Sequence, residues 1–172
     1  MCIRDRNNTG KTLEGNNNVI SIGHDVVEST GEKFICYAWH SVPGFSAFGS
    51  YISSNNGTDS NFVYLGFKPA FVILKATGMS VSGFESYISW GIYDNVRQTA
   101  NPNHSPLFAN HSVSEGYRGN GTTSTGGNTL YVDFLSNGFK IRYDSAEFSG
   151  ANTNPIIFAA FAELPFSYAR GK

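Results

Sequence analysis

The stretch YVDFLSNGFKIRY, residues 131–143, decides the fold class of this chain. Apolar and polar side chains alternate on both sides of Asn137-Gly138, which is the pattern of two half-buried strands. Asn-Gly between such segments is typical of a two-residue type I′ turn, because both turn residues must tolerate a positive φ. The register that this β-hairpin implies pairs Ser136 with Phe139, Phe134 with Ile141, Val132 with Tyr143 and, on the polar side, Asp133 with Arg142.

Short strands are also predicted elsewhere, and no stretch has apolar residues at helical spacing over three turns. The 19 glycines, 14 phenylalanines and 9 tyrosines favour strands joined by tight turns. Pro69 cannot donate a ladder hydrogen bond, so we expect it at a strand start or an edge. The predicted strands are Val19–Ile22, Phe34–His40, Phe62–Phe67, Ala70–Lys75, Tyr87–Asp94 and a final strand from Ile156. We predict an all-β fold, a two-sheet antiparallel β-sandwich of jelly-roll or lectin-like type, with a small β-barrel as the alternative.

The sequence around Phe34–His40 is repeated near the C-terminus, and the two copies align without a gap. FICYAWHSVP, residues 34–43, aligns with IIFAAFAELP, residues 156–165, at a period of 122 residues. A near-continuous apolar run predicts a strand that is buried on both faces. A fixed period of this length predicts a domain used in tandem.

This repeat divides the chain unequally. Residues 51–172 are long enough for one complete sandwich repeat, and residues 7–47 are interpreted as the C-terminal remnant of a preceding one. Residues 1–6, MCIRDR, resemble a peptide translated from sequencing-adapter DNA, so we treat them as a non-native leader and exclude them from fold reasoning.

One segment, Asn95–Gly127, is polar throughout. Only Leu107-Phe108 and Tyr117 are candidate anchors within it. A loop of this length inside a domain is usually functional or mobile.

The net charge of −1 gives no reason to expect nucleic acid or an anionic membrane as a partner, because either would call for a basic patch. No apolar run approaches the roughly 18 to 20 residues of a membrane-spanning helix. Neither nucleic-acid binding nor membrane insertion is therefore predicted.

Three longer motifs resemble an uncharacterised β-rich repeat domain of phage tail proteins, common in viruses of aquatic bacteria. They are YLGFKPAFV at residues 64–72, DFLSNGFKIR at residues 133–142 and FAELPF at residues 161–166. The resemblance covers nearly everything after residue 7 and implies a location in a virion tail or fibre. It implies other tail subunits as partners and is compatible with a homotrimer, but it carries no catalytic or metal motif.

Neither a catalytic site nor a metal or cofactor site is predicted. Cys36 and the four histidines, His24, His40, His104 and His111, lack the paired spacing of zinc sites. A calcium ion on loop carbonyls and one or two aspartates is the alternative left open. The candidate acids for glycoside hydrolysis, Glu85, Glu115, Glu147 and Glu163, lie in no recognisable setting, and there is no Gly-x-Ser-x-Gly motif.

Aromatic side chains could bind a sugar, because a flat ring stacks on the apolar face of a pyranose. Within the strand Tyr87–Asp94, Ile88, Trp90 and Ile92 alternate with Tyr87 and Tyr93, so one face should be core. The candidate glycan contacts are Tyr87, Tyr93 and Tyr117, with Tyr51 as a further exposed candidate.

We therefore expect a non-enzymatic module of a phage tail or tail fibre, used in tandem, that builds structure or contacts the host surface, with a host glycan as a candidate partner. One alternative is a carbohydrate-binding module of a secreted, extracellular bacterial protein. Another is a fragment of a polysaccharide-degrading enzyme.

Overall fold

The computed structural model describes residues 14–16, 19–21, 37–52, 61–77, 90–110, 112, 114–115, 131–143 and 155–164. The chain divides into two units, residues 1–39 and residues 40–172. All regular elements in the described ranges are strands, which confirms the prediction of an all-β protein. They are β1 (Glu14–Asn16), β2 (Val19–Ser21), β3 (Ser46–Ile52), β4 (Phe62–Tyr64), β5 (Pro69–Ala76), β6 (Gly91–Asp94), β7 (Leu107–Phe108), β8 (Tyr131–Leu135), β9 (Gly138–Tyr143) and β10 (Pro155–Ala162).

The strands form three antiparallel sheets. β1 and β2 pair with each other in the first unit. The second unit has a five-stranded sheet in the order β3-β10-β5-β6-β7 and a three-stranded sheet in the order β4-β9-β8. These two sheets do not close into a barrel within the described part of the chain, so the predicted two-sheet sandwich is confirmed.

The core lies between the inner faces of these two sheets. Alternate residues of β5 and β10 point inward, among them Val72, Leu74, Ile156 and Phe158. They meet a second layer of buried side chains from the three-stranded sheet, which we call the small sheet: Val63, Val132, Phe134, Phe139 and Ile141. Pro69 is the first residue of β5, as predicted, where its missing N–H costs no ladder hydrogen bond.

The predicted hairpin is present, but its register is wrong by two residues. Leu135 pairs with Gly138, and Phe134 pairs with Phe139, so Ser136 and Asn137 form the turn. Asp133 lies directly across from Lys140 instead of Arg142. The ion pair of Asp133 with Arg142 survives as a diagonal contact, with 3.1 Å between Arg142 Nε and Asp133 Oδ2.

The reason for the difference is the neighbouring strand β4. Gly138 belongs to β9, where it pairs with Tyr64, and its φ lies outside the left-handed region that favours glycine. A methyl group on Gly138 would lie 2.1 Å from the carbonyl oxygen of Val63. The glycine is therefore needed for the close approach of β4 and not for the conformation of the turn.

The predicted strand Phe34–His40 is wrong for its described part. Residues 37–41 form no strand, and Tyr37 and Trp39 are 70% and 54% exposed. The two rings stack on each other at 5.8 Å, so they meet one another without entering a sheet. Phe34–Cys36 lie outside the described residues, and the division into residues 7–47 and 51–172 stays a prediction.

Candidate functional site

Of the three predicted glycan contacts, Tyr93 alone lies among the described residues. Tyr93 is fully buried in the core, because Gly91 and Tyr93 form the inward face of β6 and the less buried Ile92 lies on the other face. Burial raises the pKa of its phenol above the usual value. The Tyr93 ring is therefore unavailable for stacking on a sugar. Tyr87 and Tyr117 lie outside the described residues, and Tyr51 packs partly buried against Phe139 with 6.3 Å between the ring centroids.

A different surface combines exposed aromatic rings with charged groups. It is the outer face of the small sheet, which we define as Phe62, Tyr64, Asp133, Lys140 and Arg142. The strand register places Phe62, Lys140 and Asp133 side by side across β4, β9 and β8. Tyr64 lies in the next row, beside Gly138. All five side chains point away from the core because their neighbours Val63, Phe139, Ile141 and Val132 point into it.

The two aromatic residues of this face are both exposed to solvent. Tyr64 is 70% exposed and Phe62 is 46% exposed. Each ring lies against a glycine: a methyl group on Gly66 would lie 3.6 Å from the Tyr64 hydroxyl oxygen, and one on Gly138 would lie 3.2 Å from Phe62 Cε2. Glycines beneath the rings let them lie close to the backbone while large parts of their surface stay open to solvent.

The charged residues lie on β8 and β9 of the same face, with Lys140 directly across from Phe62. The Asp133 side chain is only 12% exposed and is held by Arg142, whose side chain is 51% exposed. Asp133 Oδ1 is buried and has no hydrogen-bond partner in the described part of the chain. The guanidinium of Arg142 is therefore held in place on the same face as the rings, where its exposed N–H groups can donate to the hydroxyls of a sugar.

The outer edge of β8 is supported by two asparagines of the 95–110 segment. The Asn101 side chain donates to the carbonyl oxygen of Phe134 and accepts from its N–H, both at 3.0 Å. The Asn103 backbone exchanges hydrogen bonds with Val132, and its side-chain amide donates to the carbonyl oxygen of Asp94 at 2.7 Å. The segment from Asn95 to Asn110, predicted as part of a functional or mobile loop, therefore ties β8 to β6.

One arginine organises the start of this segment. The Arg97 guanidinium donates to the carboxylates of Asp94 and Glu115, and to the carbonyl oxygens of Ser105 and Ile92. The Asp94 carboxylate also accepts from the N–H groups of Val96 and Arg97. Partial burial by itself would raise the pKa of Asp94, but the hydrogen bonds and charge of Arg97 outweigh that effect and hold the pKa below its ordinary value.

This ion pair gives a testable pH dependence. Because the pKa of Asp94 is lower in the folded state than its ordinary value of 3.8, its carboxylate stabilises the fold above that pH, and the contribution is lost as the pH falls through the folded-state value. We expect Asp94→Asn to lower the free energy of unfolding at neutral pH and to have a smaller effect near pH 3. Urea denaturation of the variant and the wild type at both pH values measures the change in the free energy of unfolding. Glu115→Gln is the control, because the exposed Glu115 side chain should contribute little. If Asp94→Asn lowered the free energy of unfolding equally at both pH values, the ionised Asp94 carboxylate would not be the stabilising group.

Other kinds of site have little support in the described residues. They contain no group of three or more histidine, cysteine, aspartate and glutamate side chains able to hold a metal ion. Of the candidate acids, Glu115 binds Arg97, and Glu163 binds Lys68 at 2.7 Å and Asn95 at 3.1 Å. The described residues contain no helix that is long and apolar enough to cross a membrane.

Sequence reasoning missed Phe62 and Tyr64 as site residues. Both lie in a predicted strand, but Val63 between them is also apolar, so the stretch does not show which face is buried. The signal that could have separated the faces is the pair of glycines, because Gly66 and Gly138 remove the side chains that would otherwise shield the rings.

Comparison with protein families gives one match. The family described as Domain of unknown function (DUF7483) matches residues 4–165, which is most of the 172-residue chain. No match is found among curated proteins or among solved structures.

Proposed function

Because the chain belongs to the DUF7483 family, whose function is unknown, we propose a function from its own surface. The chain is a non-enzymatic contact module of a phage tail or tail fibre. Its outer face of the small sheet binds polysaccharide on the host surface.

The observation that carries this proposal is the exposure of Tyr64 and Phe62 side by side on a paired strand. Large exposed aromatic side chains cost solvation free energy, and they are enriched where proteins bind partners. A pyranose ring has one face of C–H groups and a rim of hydroxyls. The rings supply a surface for the C–H face, and the exposed Arg142 guanidinium supplies a donor for the rim.

The phage setting is supported by the sequence resemblance. One exposed ring pair gives weak binding, because a single sugar buries little area. Several linked copies raise the effective concentration of the second contact and increase the overall affinity by about 10²-fold or more. Tandem use therefore suits a weak glycan site.

The same aromatic face also favours a second candidate, a carbohydrate-binding module of a secreted bacterial protein. The two candidates share the binding chemistry and differ in the rest of the molecule. A gene neighbourhood of tail genes would support the first, and a catalytic domain on the same chain would support the second.

A glycan-array screen of the full chain tests the proposal, with its mass measured by light scattering. We expect reproducible binding to a subset of bacterial surface glycans. A folded chain that binds no bacterial glycan on the array would contradict it.

The substitution Tyr64→Ala tests the site itself. Loss of one stacking ring should weaken glycan binding by about tenfold, or about 1.4 kcal/mol, because the sugar loses the apolar area that it buries against the ring. Tyr64→Phe is the matched control, because it keeps the ring and should bind within about threefold of the wild type. Equal binding by Tyr64→Ala and the wild type in biolayer interferometry would exclude this face as the site.

A further inference from the structure

The edges of the five-stranded sheet and of the three-stranded small sheet are protected unequally. An exposed sheet edge can pair with another chain, and proteins usually blunt it with short strands, charges, proline or a covering segment. At three of the edges, β7 has two residues, β4 has three, and β8 is covered by Asn101 and Asn103. The fourth edge is β3, which has seven residues and neither a charge nor a proline.

The first half of β3 is capped by the residues that precede it. Val42 and Ser46 bond each other through both backbone groups. The Phe48 N–H donates to the Ser41 hydroxyl at 3.1 Å. These bonds lie on the side of β3 that faces away from β10. The backbone groups of Ser46 and Phe48 therefore point outward from the sheet.

The second half of β3 has no such cap among the described residues. Backbone groups alternate in direction along a strand, so those of Ser50 and Ile52 point the same way as those of Phe48. Both residues are exposed, Ile52 by 54%. The residues the structure describes provide no hydrogen bond to the outward N–H and C=O groups of Ser50.

We propose that this open edge binds a second copy of the chain, with the two β3 strands antiparallel about a two-fold axis at Ser50. Each Ser50 N–H donates to the other copy's Ser50 carbonyl oxygen. Each Ile52 N–H donates to the other copy's Phe48 carbonyl oxygen, and each Phe48 N–H donates to the other copy's Ile52 carbonyl oxygen in place of the Ser41 hydroxyl. The five-stranded sheets of the two copies then form one continuous sheet.

The side chains of the edge fit this self-pairing. The register places Phe48 of one copy opposite Ile52 of the other on the outer face. Pairs of an aromatic and a β-branched residue across an antiparallel ladder are stabilising. Ser46–Ile52 contain no charged side chain, so the two copies meet without like charges across the ladder.

The dimer should be weak. A strand edge buries less surface than the roughly 1,200–2,000 Å² of stable complexes, so we expect a dissociation constant on the order of 100 µM. This proposal rests on the edge alone and is independent of glycan binding.

Sedimentation equilibrium of the full chain, from about 10 µM to about 1 mM, tests the proposal because this range brackets a weak dimer. We expect a reversible monomer–dimer equilibrium. Ser50→Lys should raise the dissociation constant at least about tenfold, since two lysines would face each other at the axis. Ser136→Lys adds the same charge in the exposed hairpin turn and should leave the equilibrium unchanged.

Two results would overturn the proposal. One is a monomer throughout the concentration range. The other is self-association, as a dimer or a trimer, that Ser50→Lys and Ser136→Lys affect equally. Circular dichroism of both variants shows that each is folded, so a loss of association cannot be assigned to unfolding.

Hydrogen exchange provides a second readout that does not depend on substitution. The Ser50 and Ile52 amides should exchange more slowly at about 1 mM than at about 10 µM, because the described residues of one copy provide them no acceptor and the dimer does. Exchange of these amides that does not depend on concentration would also overturn the proposal.

Discussion

Replacing Gly138 with alanine is expected to lower the free energy of unfolding by about 3 kcal/mol, at the upper end of the usual cost of overpacking. The added methyl group would lie 2.1 Å from the Val63 carbonyl oxygen and 3.1 Å from its carbonyl carbon. These are backbone atoms of β4, so no side-chain rotation can relieve the clash. Either β4 separates from β9, or the hairpin shifts. Guanidinium denaturation of the variant and the wild type measures the cost.

Gly44→Ala is the control for this substitution. Gly44 has a φ of 73°, where alanine is strained, but a methyl group there meets nothing within 4 Å. Its cost should be about 1–2 kcal/mol, from backbone conformation alone. If Gly138→Ala costs no more than Gly44→Ala, β4 does not pair closely with β9 at this position.

Replacing Phe139 with alanine should cost about 3–5 kcal/mol, the range for a large aromatic side chain in a core. Phe139 is fully buried, and its ring contacts Phe158 at 5.6 Å and Tyr51 at 6.3 Å between centroids. Phe139 belongs to the small sheet, and the two partners belong to the large one. The substitution therefore opens a cavity between the sheets and removes contacts that hold them together.

Chemical denaturation of Phe139→Ala beside Tyr64→Ala checks this expectation. Tyr64 is on the outer face of the same sheet and 70% exposed, so its truncation should change stability by less than about 0.5 kcal/mol. Similar costs for the two variants would mean that the sheets do not pack through Phe139.

The sequence predicted the strands better than it predicted which side of each strand is buried. The hairpin of residues 131–143 and the position of Pro69 followed from local chemistry, because a turn or a missing N–H acts on neighbouring residues. The hairpin register did not follow from local chemistry. Gly138 is needed for the close approach of β4, which is distant in sequence. A turn rule could not include that contact.

The outer face of the small sheet could not be predicted from the sequence for a related reason. In β6 and β4 both faces carry apolar residues, so alternation alone cannot say which face meets the other sheet. Tyr93, a predicted glycan contact, is buried, whereas Tyr64, predicted only to lie in a strand, is 70% exposed. Which face is buried depends on the packing of the two sheets, and that packing involves residues far apart in the chain.

The central claim, that the outer face of the small sheet is the glycan-binding surface, is tested most directly by NMR. The full chain would be titrated with the glycan that binds best on the array, and the chemical-shift changes of backbone and aromatic signals mapped. The account predicts that the changes centre on Phe62, Tyr64 and Arg142. Changes centred on Ile73, Ile92 and Phe161 of the five-stranded sheet, with those of the small sheet unaffected, would contradict it.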